Sequence, residues 1–221
     1  MINKEYIKRI LTSAALFILL VFMYFYTYIL IVSLILISLI TWIEFYGLIT
    51  KILRKNNYKQ KVLRFIYKST SLLYLSFLTI MIIIIKIKNI NLELFLIYSI
   101  LISITTDIGG LFFGKIFKGK KLTKISPNKT LSGSIGSFIL SLLLTPLFMK
   151  YSDNFSMEIL VLIILLTSLT SQLGDLFISY LKRKAKVKNT SNLLPGHGGV
   201  LDRIDGIIFS IPIGFLLFSS F

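Results

Sequence analysis

The chain has no cysteine and only one histidine in 221 residues. Without thiols there is no disulfide and no thiolate metal site. A single imidazole, His197, is too few for a histidine-rich zinc centre. Acids are scarce too: nine Asp and Glu stand against 25 Lys and Arg, a net charge of +16. The phosphate-loop pattern G-x-x-x-x-G-K-[ST] is absent. The chain also shows no internal repeat and no soluble domain.

What it has in excess is apolar sequence, 55% of residues, with a mean hydropathy of +0.84. Soluble domains hold about 45–50% apolar residues. The surplus lies in long uncharged runs, as in a polytopic membrane protein. Residues 10–50 carry one charge, Glu44. At about 1.5 Å per residue this stretch reaches roughly 60 Å, twice a bilayer core, so it is two spans. The turn falls near Tyr24–Tyr28, where tyrosines suit an interface. No small-residue cleavage site follows the first run, which reads as a retained span. Further runs cover 69–85, 94–114, 131–149, 159–181 and 206–221, the last being short and holding Pro212. The expected fold is an all-α polytopic membrane helix bundle of about seven transmembrane spans. It is read as one integral-membrane domain over 1–221, with N-terminal spans in 1–90.

Charge sets the expected orientation. With the N-terminus in the cytoplasm, segments 1–9, 51–68, 115–130 and 182–205 hold 22 of the 25 cations. That asymmetry follows the positive-inside rule and gives an N-in, C-out topology. It also accounts for the basic balance without nucleic acid as a partner.

The nine acids can be placed one by one. Glu5, Glu93, Asp153 and Glu158 belong to termini and loops. Glu44, Asp107 and Asp175 precede the first cytoplasmic cation of their segments by seven, eight and seven residues. Each therefore sits roughly 10–12 Å along a helix from that cation. Intramembrane carboxylates cost about 2.5–3.5 kcal/mol on insertion scales and need a partner or a wet cavity. Glu44 is balanced between function and simple pairing with a lysine reaching down from a loop. Asp107 in S-I-T-T-D-I-G-G and Asp175 in S-L-T-S-Q-L-G-D sit among small and hydroxyl residues, which predicts close helix packing and a polar cavity.

Two segments are too polar to be mere connectors. Ser126-Pro127-Asn128-Lys129-Thr130 offers a turn, a lysine and hydroxyls to phosphate oxygens. The stretch from Ser179 to Gly206 holds the only histidine, the Gly198-Gly199 pair, six cations and two aspartates, Asp202 and Asp205. Glycines permit close approach to a ligand. Asp202 and Asp205, three residues apart, share a helix face, with Arg203 between them. A capped helix start explains one of these aspartates but not the whole set. Cations, glycines and carboxylates together suit a metal-bound phosphate substrate.

These residues resemble the phosphatidate cytidylyltransferase (CDP-diacylglycerol synthase) family. Its signature is matched by Ser179, Lys182, Arg183, Lys188, Pro195, His197, Gly198, Gly199, Asp202, Arg203 and Asp205. Gln172, Gly174 and Asp175 match the block before it. Asp107, Gly109, Phe113, Gly114, Lys115, Ile125, Ser126, Pro127, Lys129 and Thr130 match upstream. The match covers about residues 103–206, the signature region. Two positions depart from it: Asn189 stands where an Asp usually follows the lysine, and Ser132 where a Glu often follows the K-T.

The resemblance implies transfer of the cytidylyl group of CTP to phosphatidate in the inner leaflet, releasing pyrophosphate. It implies Mg²⁺ as cofactor, with a monovalent second cation left open, and encourages a homodimer. On that reading Asp175 and Asp202 are metal ligands, with Asp205 a third. Lys182, Arg183, Lys129 and Arg203 neutralise phosphates, and His197 orients a phosphate or carboxylate. Asp107, Ser126, Thr130, Ser179, Lys188, Gly198 and Gly199 line the substrates. The expected place is a bacterial cytoplasmic membrane, with the site facing the cytoplasm. Two readings stay open beside it: a CTP-dependent polyprenol-type lipid kinase, and an ion-coupled transporter using the buried acids.

Overall fold

The computed structural model describes residues 4–55, 57–88, 90–123, 126, 129–151 and 155–220. Ile125, Pro127, Asn128 and Asp153 lie outside the described residues. The described residues are mostly helical, and no strand longer than an isolated bridge occurs among them. In chain order the helices are α1 (Lys4–Phe25), α2 (Thr27–Ile52), α3 (Tyr58–Lys88), α4 (Ile90–Phe117), α5 (Leu131–Leu142), α6 (Thr145–Tyr151), α7 (Met157–Lys184), α8 (Leu201–Ile204) and α9 (Ile207–Ser220). The break between α1 and α2 falls at Tyr26, inside the expected tyrosine turn.

Six helical stretches are long and apolar enough to cross a membrane, with α5 and α6 counted together as Leu131–Lys150. The seventh run behaves differently. It forms α9, 14 residues, about 21 Å at 1.5 Å per residue and short of a bilayer core of about 30 Å.

The chain divides into two compact units, 1–88 with 181–204 and 89–180 with 205–221. The signature region is thus shared between them, and α7 runs through both.

In the first unit α2 packs against α1, α3 and the short α8. Most of α1 is exposed, with Phe17 at 68% and Phe25 at 71%, as an apolar face toward lipid would be. Lys68 of α3 does not pair with Glu44. Its ammonium lies 5.2 Å from the Trp42 ring centroid and 4.8 Å from that of Tyr46, a cation–π contact on both faces it meets.

The second unit packs α4 against α5 and α9. Between apolar helices in lipid, close van der Waals fit and hydrogen bonds hold the pair, and the sequence supplies both. A Cβ on Gly109 would lie 2.6 Å from the Gly136 carbonyl oxygen, and one on Gly133 would lie 2.7 Å from that of Gly110. Only glycine lets these backbones approach so near. Hydroxyls then stitch the helices. Thr106 donates to Ser168 at 2.8 Å, Ser137 donates to the Thr106 carbonyl at 2.7 Å, and Ser103 and Ser171 share a 2.7 Å bond. The expected close packing around the two S/T-rich motifs is therefore present. Ser103, Thr106, Ser168 and Ser171 are buried and bonded to partners in that packed interface. Elsewhere in this unit an aromatic core forms, with the Tyr98 and Phe148 rings stacked at 4.0 Å and Phe218 against both.

Candidate active site

The signature residues form two clusters, one in each unit. The second unit's cluster is small. After α4, Lys118 and Gly119 turn the chain through positive φ. A short hairpin follows, tied by Leu122 N–H to the Lys129 carbonyl at 2.8 Å and Leu131 N–H to the Lys120 carbonyl at 2.9 Å. Thr130 caps α5, accepting from Gly133 N–H at 3.1 Å. Ser132 donates to the Lys118 carbonyl at 2.8 Å and so ties the hairpin's base. This geometry delivers Lys129 to Asp175 of α7, with which it forms an ion pair. Asp175 accepts one further bond, from Ser179 one helical turn on, at 3.3 Å. Its side chain keeps 26% of its surface exposed. Ser126 sits in the same hairpin, its N–H donating to Thr123 Oγ1. Asp107 is exposed on α4.

The first unit's cluster is dense. Asp202 lies in the first turn of α8 and meets four donors. Lys182 donates to Oδ1 at 2.8 Å. Thr190 N–H at 2.8 Å, Thr190 Oγ1 at 3.0 Å and Gly199 N–H at 3.0 Å converge on Oδ2. Its side chain is 5% exposed. Burial opposes its ionisation, but the bonds from Lys182, Gly199 and Thr190 outweigh that and hold its carboxyl below the ordinary carboxylate range.

Behind Asp202 lies a second carboxylate. Glu44 of α2, 6% exposed, accepts from Ser191 Oγ at 2.6 Å, Val200 N–H at 3.1 Å and Leu201 N–H at 2.8 Å, and its Oε2, 2.9 Å from Thr190 Oγ1, shares that single hydroxyl proton with Asp202. Val200 and Leu201 offer the open N–H groups at the start of α8, which a carboxylate satisfies well. Lysine pairing, one of the two expectations for Glu44, is thus replaced by loop hydroxyls and backbone. A Cβ on Gly199 would lie 2.6 Å from each Glu44 oxygen. The Thr190 hydroxyl would be nearer still, at 2.0 Å, so the second glycine of the H-G-G motif leaves room for both groups.

The loop these acids hold turns at Leu194–His197. Pro195 and Gly196 (φ +76°) occupy the centre, and His197 N–H donates to the Leu194 carbonyl at 2.9 Å, the pattern of a type II turn. Arg203 donates through two nitrogens to the His197 carbonyl, at 3.1 and 2.7 Å. That takes two of its five N–H groups. His197 Nε2 lies 3.3 Å from Ser13 Oγ of α1.

The donor set tests the expected metal site. Magnesium is commonly held by one or two carboxylates together with substrate phosphates. Asp175 fits, being part-exposed and with lone pairs to spare. Asp202 as held does not, because Oδ2 already takes three donors and Oδ1 a lysine. Asp205 is buried, and its Oδ1 takes the Gly206 N–H at 3.1 Å. Among the described residues no group of three His, Asp or Glu is placed to hold an ion. Ser179 and Lys129 meet at Asp175, and Lys182 and Gly199 meet at Asp202. Lys188, His197, Gly198 and Arg203 line one pocket of the first unit. Arg183 and Lys115 are exposed. What the sequence did not reveal is the contribution of Thr190, Ser191 and α1, whose partners lie 146 to 184 residues away in the chain.

Curated relatives named phosphatidate cytidylyltransferase match from Staphylococcus aureus strain COL (44% identity over 122 residues, 54% of this chain and 46% of the relative), and from Bacillus subtilis strain 168 (40% over 129 residues, 58% and 48%). The match to the Staphylococcus haemolyticus relative of the same name is 41% over 122 residues, 54% and 46%. The chain thus aligns with about half the length of the curated relatives it matches. The model of the cytidylyltransferase family matches residues 1–221, and the chain belongs to that family.

Proposed function

We propose that the chain transfers the cytidylyl group of CTP to phosphatidate, giving CDP-diacylglycerol and pyrophosphate. The observation that carries the reading is the pairing of signature acids with signature lysines, Asp175 with Lys129 and Asp202 with Lys182, in a chain whose relatives bear that activity in their names. In the reaction a phosphate oxygen of phosphatidate bonds to the α-phosphorus of CTP. The bond from that phosphorus to the bridging oxygen of the β-phosphate breaks, and pyrophosphate leaves with the electron pair. The nucleophile is already ionised, so no side chain need act as base. The work is positioning and charge neutralisation.

Asp175 is the carboxylate proposed to hold Mg²⁺, which would neutralise phosphate charge there. Asp202 could join only by giving up its bond from Lys182. Lys129, Lys182, Arg183 and Arg203 are the proposed phosphate partners, with Ser126, Thr130, Ser179, Lys188 and Asp107 lining substrate. His197 orients a phosphate through its ring. Glu44 and Asp202 position the Gly198–Gly199 loop. The cation distribution supports cytoplasmic placement of residues 1–9, 51–68, 115–130 and 182–205, with α9 as a seventh crossing, C-terminus outside and the site toward CTP. A bacterial cytoplasmic membrane and a homodimer complete the reading.

The test is pyrophosphate release by the detergent-purified chain. Release should require CTP, phosphatidate and Mg²⁺ together, with CDP-diacylglycerol formed in equal amount. Release of CDP in place of pyrophosphate would identify a lipid kinase. No release under any combination would end the enzymatic reading.

A further inference from the structure

The segment between α4 and α5 carries three lysines that the candidate site does not use, Lys118, Lys120 and Lys121. All three are exposed. The sequence has no acid from residue 108 to residue 152. Among the described residues no carboxylate pairs with any of the three.

Backbone bonds fix where these lysines stand. Lys118 follows the last turn of α4 at φ +47°, a left-handed position where glycine is the usual residue and a lysine is strained. The Ser132 hydroxyl donates to its carbonyl at 2.8 Å. The Lys120 carbonyl accepts from Leu131 N–H at 2.9 Å, and Lys121 pairs with Thr130 across the hairpin. Leu122 N–H, next along, bonds to the Lys129 carbonyl at 2.8 Å. The arm that carries the three lysines therefore lies against the arm that brings Lys129 to Asp175.

The same stretch closes an apolar helix. The part of α4 fit to cross a membrane is Leu92–Phe117, 26 residues, about 39 Å at 1.5 Å per residue. That exceeds a hydrocarbon core of about 30 Å and reaches the headgroup layer. Its last two residues, Ile116 and Phe117, are 55% and 65% exposed. An apolar pair followed by unpaired cations at headgroup depth suits a lipid surface. A soluble polyanion would engage the lysines but leave Ile116 and Phe117 facing water. Anionic headgroups complement lysines at this depth. The hairpin is already ordered by its backbone bonds, so little freedom is lost on binding.

We propose that the α4–α5 hairpin is a docking surface for anionic lipid, with Lys118, Lys120 and Lys121 on lipid phosphates and Ile116 and Phe117 in the apolar layer below. The surface gathers phosphatidate beside Lys129 and Asp175. That gathering rests on the cytidylyl-transfer reading, whereas the docking of anionic lipid does not.

The experiment uses the absence of cysteine. A fluorophore on Ile116→Cys, in the full chain reconstituted in phosphatidylcholine vesicles, reads quenching by a minor fraction of lipid spin-labelled near the headgroup. Spin-labelled phosphatidylglycerol and phosphatidate should each quench about threefold or more above spin-labelled phosphatidylcholine. Lys118→Gln, Lys120→Gln and Lys121→Gln together should bring that ratio near one, and the same three changed to Arg should keep it. Lys55→Gln, Lys59→Gln and Lys61→Gln, an equal charge loss at exposed positions around the start of α3, should leave it within about 1.5-fold. A ratio near one before any lysine is changed would overturn the proposal. So would a ratio that survives the glutamines, falls with the arginines, or falls equally in the α3 control. A label that responds to pyrophosphate or short RNA in plain phosphatidylcholine, with a ratio near one, would assign the lysines to a soluble polyanion instead. In turnover with mixed micelles, the glutamine triple should raise KM for phosphatidate about fivefold, with kcat and KM for CTP changed less than about twofold. Normal turnover with unchanged KM would overturn the gathering of phosphatidate. No turnover by the unmodified chain would retire the gathering together with the cytidylyl-transfer reading and leave the docking to the quenching result.

Discussion

Asp202 and Asp175 carry the same functional group in the same signature, yet their surroundings are opposite. Asp202 meets four donors and is 5% exposed; Asp175 has one lysine and one serine and is 26% exposed. A carboxylate oxygen with three donors has little left for a ligand. The lesson is that a matched motif residue can be there to build the loop, while its counterpart keeps capacity for chemistry. Glu44 strengthens the contrast, since it doubles the anchoring of the same loop from α2.

The contrast breaks first at Asp175. Asp175→Asn should cut the rate of CDP-diacylglycerol formation about a thousandfold, the scale of a lost metal contact, while amide exchange in 189–201 stays as in the unmodified chain. If the rate survives, the division of labour is wrong. Glu44→Gln comes next. An amide offers one acceptor oxygen where four donors converge, leaving buried donors unmet at about 1–3 kcal/mol each. Exchange in 189–201 should accelerate and the rate should fall about tenfold to a hundredfold, without loss of binding at Asp175. Gly199→Ala should give a similar loosening, because its Cβ would push on Glu44. An alanine variant with unchanged exchange would contradict the seating of the loop.

The smallest effect concerns pH. Asp202 has its carboxyl lowered in the folded chain. Its stabilising contribution is therefore fully present above the ordinary carboxylate range and is lost only as pH falls through the lowered folded value. Protection of the Thr190 and Gly199 amides should persist from neutral pH down to about pH 4 and decline below it. Loss of protection already near pH 6 would contradict the lowered carboxyl.

Much of this was legible in the sequence. Hydrophobic run lengths located the long helices, and a single acid in residues 10–50 marked Glu44 as unusual. Spacing along a helix gives depth but not direction around the axis. It could not decide whether Glu44 meets a lysine or a loop 146 to 157 residues away. The same holds for Thr12 and Ser13, which look like ordinary span residues until His197 and Pro195 are set against them. The hydroxyl-rich motifs of α4 and α7 were read correctly as packing surfaces. Their hydroxyls bond within the packed interface.

The most direct test follows labelled phosphate. The purified chain would be given phosphatidate, Mg²⁺ and CTP labelled at either the α- or the γ-phosphorus, with Asp175→Asn run in parallel. The account predicts α-label in the lipid, γ-label in pyrophosphate, and neither product from the variant. Appearance of γ-label in the lipid, or a variant rate within threefold of the unmodified chain, would contradict it.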